Sequence, residues 1–219
     1  MVMKMLKTLS QALLTDTYIG DRKYAVDLSF DNVIKYFKYM DPQLWTERRA
    51  LASLFLLVPS AIEDAINGRL LLNDCYETLK TLSEYIGEHP YNQSDDQQVD
   101  ITGEKIETQV PDDKTWDFDQ DSMALYASFK QVYGIDLWDL RGKLHWAKFQ
   151  AMLIGLPDDC QFRRIVAIRQ AKLQPPSNPA QNPEAMRQYS QLVKQKADYA
   201  LTPTDYEMVE AEYNYISMN

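Results

Sequence analysis

The stretch LHWAKFQAMLIGLPDDCQFRRIVAIRQAK, residues 144–172, decides the fold class. Its large apolar residues are Trp146, Phe149 and Leu153, then Phe162, Ile165, Val166 and Ile168. Spacings of three and four put each set on one face of a helix. Gly155 stops the first helix, 144–154, and Pro157 bends the chain. Asp158 or Asp159 is placed to cap the second, 160–172, because a carboxylate accepts from the free amides of a first turn. Upstream, the same spacing predicts a helix over Met123–Tyr133 with Gly134 as its stop. Further back it predicts 31–40, with Val33, Ile34, Phe37 and Met40 on one face. A helix to about Leu57 follows, with Asp41 as N-cap and Pro42 at its first position. Pro59 opens a short helix that Gly68 closes, and Asn73 caps 74–86, which carries Cys75, Leu79, Leu82 and Ile86. The one good strand signal lies in residues 15–29. Thr17-Tyr18-Ile19 leads into the turn Gly20-Asp21, and Tyr24, Val26 and Leu28 then alternate. Ser29 or Asp31 starts the next helix. The chain therefore reads as mostly α: an irregular multi-helix domain with a small N-terminal β-hairpin and a C-terminal helical extension.

Composition divides it further. Residues 89–115 hold seven acids against two lysines and few large aliphatics, too little apolar surface to offset ordering. They read as an acidic flexible linker between the hairpin and helices of 1–88 and a helical segment, 116–173, that packs with them; a weaker alternative is a short hairpin at Thr102-Gly103. Pro175-Pro176, Pro179 and Pro183 open the last part, 174–219. It carries one stripe of Met186, Tyr189, Val193, Ala197 and Ala200, and beyond Pro203 a second of Tyr206, Val209, Tyr213 and Ile216. Such stripes serve either a partner or simple packing on the core.

Several function classes fall away. The 219 residues carry a formal net charge of −9, which repels phosphate. Seven glycines form no phosphate loop, dinucleotide fingerprint or nucleophile elbow. Cys75 and Cys160 lie in no metal or redox motif and read as free, buried thiols of a reducing cytoplasm. The longest apolar run, Leu54–Val58, is far below a membrane span, and the first residues lack a signal-peptide pattern. Asp117, Asp119 and Asp121 resemble the start of a calcium loop, but Ser122 and Ser128 stand where an EF-hand needs glycine and glutamate. Capping of the following helix explains these acids better than a metal does. His145 lacks a nucleophile and an orienting partner at a telling spacing. No catalytic site and no cofactor site assembles.

One basic window remains. Residues 141–173 hold seven bases against Asp158 and Asp159 and imitate a helix-turn-helix. Trp138, Trp146 and Phe149 read as buried neighbours there, which favours a solvated basic face or a surface for an acidic partner, with Arg163 and Arg164 at its centre. Sequence-specific DNA binding is the weaker alternative, since the rest of the molecule repels phosphate.

The segments WDFDQD (116–121), LYASFKQVYGIDL (125–137) and LHWAKFQAMLIGLP (144–157), with the helix bearing Phe162, Ile165 and Ile168-Arg169, are distinctive together. They resemble a family encoded in the tail module of long-tailed phages and prophages of Gram-positive bacteria. The likeness is strongest over 116–172 and looser over YAVDLSF (24–30) and Asp198-Tyr199-Ala200-Leu201. It implies a non-catalytic tail assembly chaperone. Such a protein binds the tape measure protein, and tail tube subunits as well, in the host cytoplasm and is absent from the mature virion. The expected partner surface comprises Tyr189, Val193, Tyr206, Val209 and Tyr213, with Arg163 and Arg164; self-association stays open. Two rivals remain: a structural virion protein of the tail or connector, and a DNA-binding regulator acting through 141–173.

Overall fold

Asp16–Ile19 (β1) and Arg22–Ala25 (β2) pair antiparallel, with Thr17 opposite Tyr24 and Ile19 opposite Arg22. Gly20 makes the turn at φ +60°, and a Cβ there would lie 2.8 Å from an Asp74 carboxylate oxygen. The positive φ is what favours glycine here, since an L side chain there is strained. The structure is a computed structural model and describes residues 9–40, 46–88, 115–176 and 182–202. The Asp41-Pro42 helix start, the 89–114 part of the acidic segment, and Tyr206, Val209 and Tyr213 lie outside the described residues.

Eight α-helices follow the hairpin among the described residues: Phe30–Tyr39 (α1), Glu47–Leu57 (α2), Ile62–Ile66 (α3), Leu72–Gly87 (α4), Ser122–Tyr133 (α5), Trp146–Ile154 (α6), Gln161–Gln170 (α7) and Pro183–Asp198 (α8). The mostly α reading with one N-terminal hairpin holds. The chain forms two compact units that interleave in sequence. The first takes residues 1–110 and 138–154, and the second takes 111–137 and 155–219. The segment 116–173, read above as one piece, is thus shared between them. The two helices of the apparent helix-turn-helix, α6 and α7, belong to different units.

In the first unit α1 packs on α2, α2 on α4, α4 on β1, and α1 also meets α6. Val33, Leu54, Leu57, Val58, Leu82 and Ile86 are almost wholly buried. Chain segment 144–146 reaches this unit by backbone bonds: Phe30 N donates to Leu144 O at 2.9 Å, and Trp146 N donates to Leu28 O at 2.7 Å. Several capping assignments change. Ser29 sits at the N-cap of α1 but makes no side-chain cap bond, and Asp31 instead accepts from Gly142 N at 2.8 Å. The buried face of α1 is Phe30, Val33 and Tyr36, while Phe37 stays 39% exposed. Asn73 lies inside α4, whose N-cap position is Leu71. His145 precedes α6, and its Nδ1 accepts from Ala147 N at 3.1 Å, the bond of an N-cap side chain. With Nδ1 as acceptor, Nε2 is the donor to Leu14 O at 3.2 Å.

One polar node ties the hairpin to α3. Asp64 accepts from Tyr24 Oη at 2.6 Å and from Arg22 and Arg69, each at 2.9 Å. These donors hold its carboxyl at about 2, below the ordinary 3.8. A depressed folded value stabilises above the unfolded pKa and is lost as pH falls through the folded one. Asp64→Asn is expected to lower the melting temperature at neutral pH, and to flatten the loss of stability that wild type shows between about pH 4 and 2. Parallel thermal melts across that range check it, and equal slopes in both proteins would remove Asp64 from the acid transition.

Candidate functional site

The second unit is built around α5 and α7. Ala124, Leu125, Phe129, Phe162, Ile165 and Val166 are buried in it, and Trp116 meets Phe162 edge-on at 5.6 Å. Gly134 ends α5 at φ +70°, the left-handed cap its position predicted. Neither Asp158 nor Asp159 caps α7. Its N-cap is Cys160, which makes no side-chain cap bond. The cap comes from another helix: the buried Ser128 hydroxyl accepts from Phe162 N at 3.0 Å and donates to Ala124 O at 2.7 Å. A serine in mid-helix carries no local sign of that role. Cys160 and Cys75 are both free and buried, and burial beside Asp74 pushes the Cys75 thiol up.

The three acids of 117–121 divide their work. Asp117 Oδ1 accepts from Asp119 N at 2.7 Å and Gln120 N at 3.0 Å, which caps a turn. Asp121 stands at the N-cap of α5 without capping it. Its carboxylate takes Arg169 in two bonds, of 2.7 and 2.8 Å. Both side chains are nearly inaccessible, at 9% for Arg169 and 3% for Asp121. Arg169 also donates to Thr115 O at 3.1 Å and to Tyr199 O at 2.5 Å. Among the described residues, no group of His, Cys, Asp and Glu side chains could hold a metal ion.

Arg169, one of the seven bases of the 141–173 window, is an internal clamp and not part of a solvated basic face. Trp138, read as buried, is 52% exposed: it lies in a run of turns in which the neighbouring Leu137 takes the buried position.

The clamp extends to the C-terminal part. Lys196 Nζ donates to Arg169 O at 2.7 Å and Ala171 O at 2.5 Å, covering the carbonyls that α7 leaves unpaired at its end. Gln120 donates to Ala200 O at 2.8 Å and accepts from Thr202 N and Thr202 Oγ1, each at 3.0 Å. These bonds set the rotation of α8. Ala185, Tyr189, Leu192 and Lys196 are partly covered, and none of the helix residues is buried. Met186 and Val193, placed on the predicted stripe with Tyr189, remain 39% and 38% exposed.

A cleft of about 490 Å³ opens where α7 meets the end of α8. Ile165 and Ile168 line it with Arg164, and Gln195 and Tyr199 line it from the C-terminal side. Gln131, Asp159 and Gln161 complete it. Arg164 is exposed and has no side-chain bond or ion pair among the described residues. Arg163 is partly covered near Tyr133. Of the expected site residues, the structure therefore puts Arg164 in a cleft, and Tyr189 and Val193 on one helix nearby. The lining offers two isoleucines, a tyrosine and three amides, with one arginine against one aspartate, a mixed surface of the kind that takes a peptide.

The sequence profile of the bacteriophage Gp15 proteins matches residues 9–201. The chain belongs to this bacteriophage protein family. No curated protein and no solved structure matches it. The family match spans both units and takes in Tyr199 and Ala200, the C-terminal partners of Arg169 and Gln120. No helix among the described residues is long and apolar enough to cross a membrane.

Proposed function

We propose that this Gp15-family protein is a non-catalytic tail assembly chaperone that binds the tape measure protein, and tail tube subunits with it, in the host cytoplasm. The observation that carries the reading is α8: a 16-residue helix of a phage protein, held by polar bonds near its C-terminal end and burying no side chain. A helix with no buried residue contributes little to its own unit. Its exposed Met186 and Val193 add adaptable apolar surface. A long helical client with apolar stripes aggregates unless those stripes are covered, and an exposed amphipathic helix is one means of covering them.

The test is co-expression with the tape measure protein, followed by recovery of the soluble complex. Met186→Asp with Val193→Asp leaves the clamp untouched, so the variant should fold and melt like wild type. It is expected to lose most of the soluble tape measure protein, since true interface anchors contribute roughly 2 kcal/mol or more each. Equal recovery with both proteins would remove α8 from the function. Purified virions add a second check: the chaperone reading expects none of this chain there, and a fixed copy number would make it a structural tail component.

A further inference from the structure

We infer that the cleft between α7 and the end of α8 is an intramolecular docking site for the chain's own C-terminal segment, residues 203–219. Three observations converge. The first is place: Tyr199 lines the cleft, and Thr202, the last described residue before the segment, is fixed by two bonds to Gln120. The segment therefore starts beside the cleft, and its length allows a reach of roughly 60 Å if extended, far more than is needed. The second is charge. Residues 203–219 carry Asp205, Glu207, Glu210 and Glu212 and no lysine or arginine. Residues 158–202 carry seven bases against Asp158, Asp159, Glu184 and Asp198, in a protein of net −9, and two of those bases, Arg169 and Lys196, are held in internal bonds. Arg164 presents an exposed guanidinium in the cleft with no partner among the described residues. The third is pattern. At helical spacing Tyr206, Val209 and Tyr213 form a stripe flanked by Glu207 and Glu210. The cleft offers the complement, Ile165 and Ile168 beside Arg164. Asp159, also in the lining, repels carboxylates, so the segment's acids are favoured only on the Arg164 side.

Docking there makes the tail an internal competitor for any acidic, apolar peptide that the cleft receives. Its aromatic residues are available to a partner only once it leaves. The inference stands apart from the tape measure reading, and its test needs no partner protein.

Hydrogen exchange on the full-length chain reads it directly. In wild type the amides of 205–214 should exchange at least about tenfold more slowly than in a free peptide of the same sequence. Arg164→Glu should return them to within about twofold of the peptide. The paired change Glu207→Lys with Glu210→Lys, which leaves the cleft unaltered, should do the same. Combining all three changes should restore protection by exchanging the signs. Wild-type exchange at the free-peptide rate overturns the inference. Protection that ignores both charge reversals also overturns it, because the segment would then lie elsewhere. Protection that appears only as protein concentration rises would assign the contact to a second copy and overturn the intramolecular form.

Discussion

Arg169→Ala is expected to destabilise the second unit by about 3–5 kcal/mol, the usual cost of breaking a buried ion pair from one side. The variant leaves the Asp121 carboxylate buried, with Asp117 N at 2.9 Å as its remaining donor among the described residues. It also strips donors from Thr115 O and Tyr199 O. Asp121→Ala should be comparably damaging, for the mirror reason. The double variant should cost clearly less than the sum of the two, since neither charge is then stranded. Urea unfolding gives the totals, and hydrogen exchange shows which unit opens. Exchange should rise in α5 and α7 before it rises in α4. Additive effects of the two single changes would mean the pair is not coupled, and a loss below about 1 kcal/mol would put it with ordinary surface pairs.

The second large effect concerns the first unit. Trp146→Ala should cost about 3–5 kcal/mol, the range for truncating a buried aromatic residue. Trp146 is 4% exposed, stacks on Phe149 at 5.6 Å and meets Phe37 edge-on at the same distance. Phe149 in turn stacks on Phe30 at 4.8 Å, so the ring links α6 to α1. Its Nε1 donates to Ile86 O near the end of α4, at 3.0 Å. The alanine variant therefore opens a cavity and also leaves a buried carbonyl without its donor. Trp138→Ala is the control: at 52% exposure it should change stability by no more than about 0.5 kcal/mol. Thermal melts of both variants decide the matter, and an unchanged midpoint for Trp146→Ala would place α6 on the surface.

The sequence by itself determined the local elements. Spacings of three and four in 74–86, 123–133, 146–149 and 162–166 are helix periods, and each appears with its apolar face buried. Gly20 and Gly134 mark positions with positive φ, which depend only on the residue's own backbone. Tyr24 of the predicted Tyr24, Val26 and Leu28 face lies in β2 and is buried, although the strand ends at Ala25, short of Val26 and Leu28. Tertiary structure decided every feature that depends on a distant partner. Nothing near Arg169 distinguishes it from Arg163 and Arg164; only the arrival of Asp121, 48 positions away, makes it a clamp. Ser128 caps α7 because α5 packs there, a bond spanning 34 positions. The rotation of α8 follows from Lys196 reaching the end of α7, so its covered face departs from the stripe that periodicity selects. The division of 116–173 between two units is of the same kind. Periodicity records that a face must be buried, and the choice of what buries it is made by long-range contacts that leave no mark on neighbouring residues.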